Sequence, residues 1–444
     1  IPWMARMDHL EHRRWMEETA SNTLLWMGKS SHHRLSCLHN DNLLELALKD
    51  YGLRQSTYLT ELQQVKRWSK ERSLCDLGFG REKTTYCYFA CAASTSLPYN
   101  SDIRLIVTKA AIVITVADDF FDTKGSLDDL EKLTDAVHRW DVKGLDSHSK
   151  TIFEALVDLV AGIRMKYLQQ NGKDIEENLQ HLWYETFKSW LVEAKWARVR
   201  SKPSVDEYLR NAMISIAAHT LVLQASCFLG FPVDNQLWST PRQEITSLLM
   251  VTTRLLNDTQ SYLKEEDEGK INYVWLYMNE NQQGKIEDSI QHVQALVNMR
   301  RQEFLKHVLS PADEQHCDQQ LPKSCKQLHL SCLKVFNMFF NSSNLYDSET
   351  ELLLDIDKAF ASPPNVDKFM LSPQYHPLPP LFLHPPHQVV KKRGAKITNY
   401  KNPALVKNYP WRKGFTLQHP ISRFGATIRI RDILAASKMK LCFN

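Results

Sequence analysis

The sequence predicts an all-α protein, and three observations carry that prediction. From about Asn40 to Phe360, apolar residues recur at three- and four-residue spacing in segment after segment. Alternating strand patterns are nearly absent before residue 370. Glycine is scarce, 14 of 444 residues, and no G-x-G-x-x-G or G-x-x-x-x-G-K pattern occurs, which removes support for nucleotide-binding α/β folds.

The elements follow in order. Asn42 to Tyr51 opens the helical region, and the apolar run Leu105 to Ala117 continues it. That run is interrupted by Lys109 and is too short to span a bilayer, so no transmembrane segment is expected. Helical periodicity then covers Leu127 to Trp140, Ile152 to Leu168, Leu179 to Ala197, Val205 to Leu229, Glu244 to Leu263, Ile286 to Leu309 and Gln327 to Phe340. Short breakers separate them, among them Ser201-Lys202-Pro203-Ser204 and Gly230-Phe231-Pro232. Ser204 with Glu207 three residues on is a capping-box signature for the helix that follows. No fixed repeat period appears, which argues against a solenoid.

The net charge of +4 hides two regions. From Ser372 to Asn444 there are 13 Lys and Arg against one acid, Asp432, with nine of the 18 prolines. The preceding 371 residues therefore hold 42 basic and 50 acidic residues. The tail reads as a basic, proline-rich, disordered extension over 367–444; an arm for anionic lipid or nucleic acid is the other reading, and no nucleic-acid partner is expected. Nine cysteines without regular spacing read as reduced thiols. His316, Cys317, Cys325, His329 and Cys332 come nearest to a zinc pattern but match no familiar spacing. The chain begins at Ile1 without a signal peptide, which suggests a fragment or processed form.

The sharpest chemical feature is Ala117-Asp118-Asp119-Phe120-Phe121-Asp122. On a helix Asp118 and Asp122 share a face, while Asp119 points about 100° away. Two carboxylates at the mouth of an apolar helix suit Mg²⁺, although the same residues also read as a solvated helix end. A second feature lies about 140 residues on. Asn257, Ser261 and Glu265 stand at i, i+4 and i+8, an amide, a hydroxyl and a carboxylate in one stripe on an otherwise apolar helix. Arg254 lies within a turn of that stripe and could face a bound anion; a polar face with a capping acid is the plainer reading.

Two such faces bracketing Mg²⁺ can hold a diphosphate, neutralise it as a leaving group and so ionise the attached carbon. The resulting carbocation needs a dry, aromatic-lined cavity. Tyr86, Tyr88, Phe89, Phe120, Phe121, Trp183, Trp190 and Trp196 are candidates for its walls, and each also reads as ordinary core.

These motifs, with Phe79-Gly80-Arg81-Glu82-Lys83-Thr84-Thr85-Tyr86 and Phe336-Asn337-Met338-Phe339-Phe340 at the flanks, resemble the class I α-domain of plant terpene synthases. The likeness is to kaurene synthase-like diterpene synthases. It implies a class I helical bundle over residues 40–366, with 1–39 a remnant of a preceding β domain and its linker. It implies three Mg²⁺ ions, with Mn²⁺ a substitute, held by Asp118, Asp119, Asp122, Asn257, Ser261 and Glu265. Asp118, Asp122 and Arg254 would carry catalysis, and Arg81, Arg254, Tyr86, Phe89 and His219 would bind substrate. His219 has three readings: pocket wall, deprotonating base or satisfied buried histidine.

No D-x-D-D motif occurs, so protonation-initiated cyclisation has no acid. The resemblance then implies copalyl diphosphate as substrate, supplied by a class II diterpene cyclase, in a plastid. Kaurene synthases carry Gly-Pro-Ile-Val where this chain has Ala217-Ala218-His219-Thr220-Leu221-Val222-Leu223, which favours a miltiradiene-type lyase over an ent-kaurene one. Two alternatives stand beside this reading: an enzyme acting on acyclic geranylgeranyl or farnesyl diphosphate, and an inactive truncated pseudoenzyme. A chain-elongating prenyl synthase fits less well, because such enzymes carry two aspartate-rich motifs.

Overall fold

A computed structural model describes residues 3–20, 41–80, 83–199, 202–229, 240–281, 285–310, 321–340, 344–346, 350 and 352–364. The chain divides into two units, Ile1–Val366 and Asp367–Asn444, and the described residues all fall in the first. The expected C-terminal extension lies outside them. Every regular element among the described residues is a helix. No described helix is long and apolar enough to cross a membrane.

A 3₁₀ turn at Trp3–Ala5 precedes α1 (Asp8–Ala20). The long α2 (Asp41–Glu71), α3 (Thr84–Ser94) and α4 (Ser101–Asp119) pack against one another. A buried ion pair sets their register, with Arg104 of α4 on Glu61 of α2 at 2.7 Å. Tyr88 of α3 donates to the same carboxylate at 2.7 Å, and Arg104 also donates to the Thr95 and Leu97 carbonyls. Each charge is satisfied, so losing one partner would cost about 3–5 kcal/mol. This network fixes α4, whose far end carries the aspartates.

Next come α5 (Leu127–Arg139), α6 (Ser147–Asn171) and α7 (Glu176–Val199). Ser126 and Asp129 cap α5 reciprocally, and Trp140 ends it with φ 53. Then follow α8 (Val205–Ser215), α9 (Ala218–Ser226), α10 (Thr240–Asp267), α11 (Tyr273–Glu280) and α12 (Ile286–Leu309). The bundle closes with α13 (Lys323–Phe339) and α14 (Leu353–Phe360). The capping box read at Ser204 and Glu207 forms as expected.

One expectation fails. Periodicity over Val205 to Leu229 predicts a single helix, yet the chain breaks between α8 and α9, with Ala217 at φ 53. The cause is tertiary: Trp190 of α7 donates its indole N–H to the Ser215 carbonyl at 2.8 Å, and Thr186 of α7 pairs with Thr220 at 2.7 Å. Both bonds lie beside the break.

The ends of the described domain are tied together. Arg13 donates to the carbonyls of Lys358 (2.6 Å), Ser362 (2.5 Å) and Pro363 (2.8 Å), the exposed acceptors at the end of α14. The six described cysteines are thiols rather than halves of a disulfide. His316 and Cys317 of the zinc-like pattern lie outside the described residues. His329 is hydrogen-bonded to the Cys325 carbonyl and to Thr246, as ordinary helix packing expects.

Candidate active site

Asp118 and Asp119 end α4, and the chain then widens into a π-helical turn, Phe120–Lys124, that contains Asp122. The turn closes with Gly125 N–H on the Phe120 carbonyl at 2.8 Å. The space there is tight: a Cβ would stand 2.5 Å from Leu130 Cδ2 and 3.0 Å from the Phe120 ring, so a larger residue would have to displace one of those side chains. Arg198 of α7 donates to the Gly125 carbonyl at 2.5 Å and ties the turn down.

This turn sorts its side chains by polarity. Asp122 is exposed, Asp118 is half-buried and Asp119 is buried. Phe121 points inward, 5.8 Å from Phe187 and 5.7 Å from Trp190, which lie 5.1 Å from each other. Phe120 packs 5.8 Å from Phe79. An aromatic wall thus lies directly beneath the acidic mouth, with face-and-edge contacts able to stabilise positive charge.

The facing wall is α10. Ser261 is buried and donates to the Asn257 carbonyl at 2.9 Å. Glu265 accepts from Asn272 Nδ2 at 2.7 Å, and Asn272 also caps α11 through Val274 N–H. Arg254 is buried in a three-residue network. Its Nε lies 2.8 Å from Asp258 Oδ1 as an ion pair. Its N–H groups are directed to the Tyr208 oxygen at 3.1 and 2.7 Å, and Tyr208 in turn donates to Asp258 Oδ2 at 2.9 Å. Burial keeps the Tyr208 phenol protonated; for Arg254, burial acts against the charge but Asp258 outweighs it.

Two residues that sequence reasoning missed join these walls. Glu193 of α7 accepts from Ser215 Oγ at 2.6 Å, beside the α8–α9 break. Burial pushes its carboxyl up, Arg254 pulls it down, and Asp122 and Glu265 push it up again. Glu193 therefore senses both walls, and its signal in the sequence was a single acid between Trp190 and Trp196 on a buried helix. Lys270, beyond the end of α10, places Nζ 2.8 Å from Asp122 across the mouth.

The remaining predicted residues divide. His219 is buried at the start of α9 with Nε2 3.4 Å from Thr220 Oγ1, and its Nδ1 has no partner among the described residues. Burial lowers its pKa to about 4, so the ring is neutral. Tyr86 lies under the Lys83 ammonium at 4.7 Å, and Phe89 packs edge-on against Phe360 of α14 at 6.2 Å. Arg81 lies outside the described residues.

Asp118, Asp122, Asn257, Ser261 and Glu265 are all hard oxygen donors, which fits Mg²⁺. The Lys270 ammonium on Asp122 shows that the space between the walls accepts a cation. Among the described residues no three of His, Cys, Asp and Glu could hold an ion by themselves.

The description "Terpene synthase family, metal binding domain" matches residues 70–303. The chain is 62% identical over 455 residues to the S-linalool synthase of Clarkia breweri, covering 100% of this chain and 51% of that protein. It is 48% identical over 369 residues to the (E,E)-geranyllinalool synthase of Arabidopsis thaliana, covering 82% and 41%. The chain spans about half the length of the curated relatives it matches. The expected kinship with kaurene synthases is corrected by these values, since the ent-kaurene synthase of Physcomitrium patens reaches only 31%. The isoprene synthase of grey poplar, solved with three Mg²⁺ ions and dimethylallyl-S-thiolodiphosphate, superposes with a TM-score of 0.70 at 25% identity, covering 82% of this chain and 67% of that one. With its two oxygen-donor walls above an aromatic floor, the chain belongs to the terpene synthase family.

Proposed function

We propose that this chain is the catalytic part of a lyase that ionises an acyclic allylic prenyl diphosphate and lets water capture the cation as a tertiary allylic alcohol. The observation that carries the reading is the acidic turn of Asp118 and Asp122, joined through Lys270 to the end of the helix bearing Asn257, Ser261 and Glu265, with Phe121 of that turn packed on Phe187 and Trp190. The names of the linalool and geranyllinalool synthases support an acyclic substrate. This displaces copalyl diphosphate, the substrate implied by the kaurene synthase likeness, and with it the need for a class II cyclase partner.

Magnesium, when bound, supplies the positive charge that makes diphosphate a good leaving group. Asp118, Asp122, Asn257, Ser261 and Glu265 would hold the ions, with Asp119 in support. Arg254, aimed by Asp258 and Tyr208, faces the departing anion. The allylic C–O bond breaks heterolytically and diphosphate leaves with the electron pair. Phe121 and Trp190 present π-faces to the cation and exclude bulk water from it. One water oxygen then bonds to the tertiary carbon, and its proton passes to solvent or to diphosphate. Plastid residence is proposed on the family likeness, the Physcomitrium patens relative being named chloroplastic; a fluorescent fusion of the full-length precursor found in the cytosol would oppose it.

The test is product analysis with geranyl, farnesyl, geranylgeranyl and copalyl diphosphates and Mg²⁺. The reading expects a tertiary alcohol from an acyclic substrate and nothing from copalyl diphosphate. Turnover of copalyl diphosphate alone would overturn it, and no turnover of any substrate would favour the pseudoenzyme.

A further inference from the structure

The end of α10 places one lysine with unusual definition. Gly269 takes φ 71, a left-handed conformation suited to glycine. Its N–H bonds to the Glu266 carbonyl at 3.0 Å, and Lys270 N–H bonds to the Glu265 carbonyl at 2.8 Å. That pair of bonds is the Schellman closure of a helix C-terminus. It wires the Lys270 backbone to the carbonyl of Glu265, the last donor of the α10 wall. From there the side chain crosses the mouth, with Nζ 2.8 Å from Asp122 Oδ2 of the opposite wall and 2.8 Å from Glu268. All three side chains are about one-third exposed, so each pair is weak and exchangeable.

We propose that Lys270 is a counter-cation for Asp122 that a divalent ion must displace. Its ammonium neutralises the Asp122 carboxylate that a divalent ion must use, and it leaves when metal and diphosphate enter together. Glu268 retains the displaced ammonium at the rim, where it meets the incoming anion. Metal binding in the absence of diphosphate is thereby disfavoured, and the two ligands become coupled, each raising the affinity of the other by the same factor. This rests on the reading of Asp122 as a metal donor.

The experiment is titration calorimetry of Mg²⁺ into the intact chain, with and without inorganic diphosphate, for wild type, Lys270→Met and Lys270→Arg. Circular dichroism confirms that each variant folds. Without diphosphate, Lys270→Met should bind Mg²⁺ about fivefold more tightly than wild type, the loss of a competing pair worth about 1 kcal/mol at about 1.4 kcal/mol per decade. Its gain in Mg²⁺ affinity on adding diphosphate should shrink by a similar factor, whereas Lys270→Arg should behave as wild type. Equal Mg²⁺ affinities for wild type and Lys270→Met, with diphosphate-dependent binding intact in both, would overturn the role of Lys270 alone. Failure of wild type to bind Mg²⁺ even with diphosphate would overturn the site assignment and this proposal with it.

Discussion

Replacing Tyr208 by phenylalanine removes one oxygen and leaves the ring. That oxygen accepts from Arg254 at 3.1 and 2.7 Å and donates to Asp258 at 2.9 Å. Arg254 and Asp258 are both buried, at 9% and 0% exposure, so water cannot readily replace it. The ring still fills its space, and no cavity contribution arises. A hydrogen bond to a charged group contributes about 1.5–3 kcal/mol, and the three contacts share one oxygen, so a loss of about 3 kcal/mol is expected. Arg254 keeps its ion pair with Asp258 but loses the group that fixes its direction. A misaim of Arg254 worth about 1.4 kcal/mol lowers kcat/KM about tenfold. Urea unfolding followed by circular dichroism measures the first effect, and steady-state kinetics at saturating Mg²⁺ measures the second. Tyr208→Phe with wild-type stability and wild-type kcat/KM would refute the reasoning.

Two further predictions concern acid lability and the acidic turn. Burial lowers the pKa of His219 to about 4 and that of His9 to about 3, against 6.5 for a free histidine. Between these values and 6.5 the unfolded chain binds protons that the folded chain does not. Stability is therefore full above pH 6.5 and falls on acidification, by about 1.4 kcal/mol per pH unit per histidine. Melting temperatures across pH 4–7 should show this slope, and His219→Gln should remove its share; an unchanged slope would contradict the assignment. Gly125→Ala brings a Cβ to within 2.5 Å of Leu130 Cδ2 and should cost about 1–3 kcal/mol and part of the activity, because the buried Leu130 side chain or the Phe120 ring beside the acidic turn must move. Wild-type melting and turnover in Gly125→Ala would show the turn to be more tolerant than its contacts imply.

Much of the architecture is legible in the sequence because it is local. Ile286–Leu309 is read directly from its periodicity, and the Ser204–Glu207 cap from its spacing. The stripe of Asn257, Ser261 and Glu265 is equally visible because it lies on one helix, whereas Asp122, read from the sequence as sharing an α-helical face with Asp118, sits in a π turn beyond the end of α4. What escapes is set by distant partners. The break at Ala217 follows from Trp190 and Thr186, on another helix, and periodicity cannot register it. The π turn after Asp119 is met by Arg198 of α7, which donates to the Gly125 carbonyl across 73 residues of sequence. Glu193 and Lys270 are single charges whose meaning appears only when α7 and the end of α10 are brought to Asp122. The edge contact of Phe89 on Phe360, from the far end of the described chain, is likewise invisible to local pattern. The two motifs do not by themselves distinguish a cyclic from an acyclic diphosphate, so the acyclic substrate, one of the alternatives read from the sequence, stands as a proposal.

The central claim is that the two walls act together to ionise a prenyl diphosphate. Single-turnover release of diphosphate from geranyl diphosphate tests it most directly, with wild type and Asp118→Ala compared with and without Mg²⁺. Wild type should release diphosphate only with Mg²⁺, and Asp118→Ala should lose about a hundredfold or more, as removal of one group stabilising a developing charge commonly produces. Equal release by the two proteins, or release that persists without divalent metal, would contradict it.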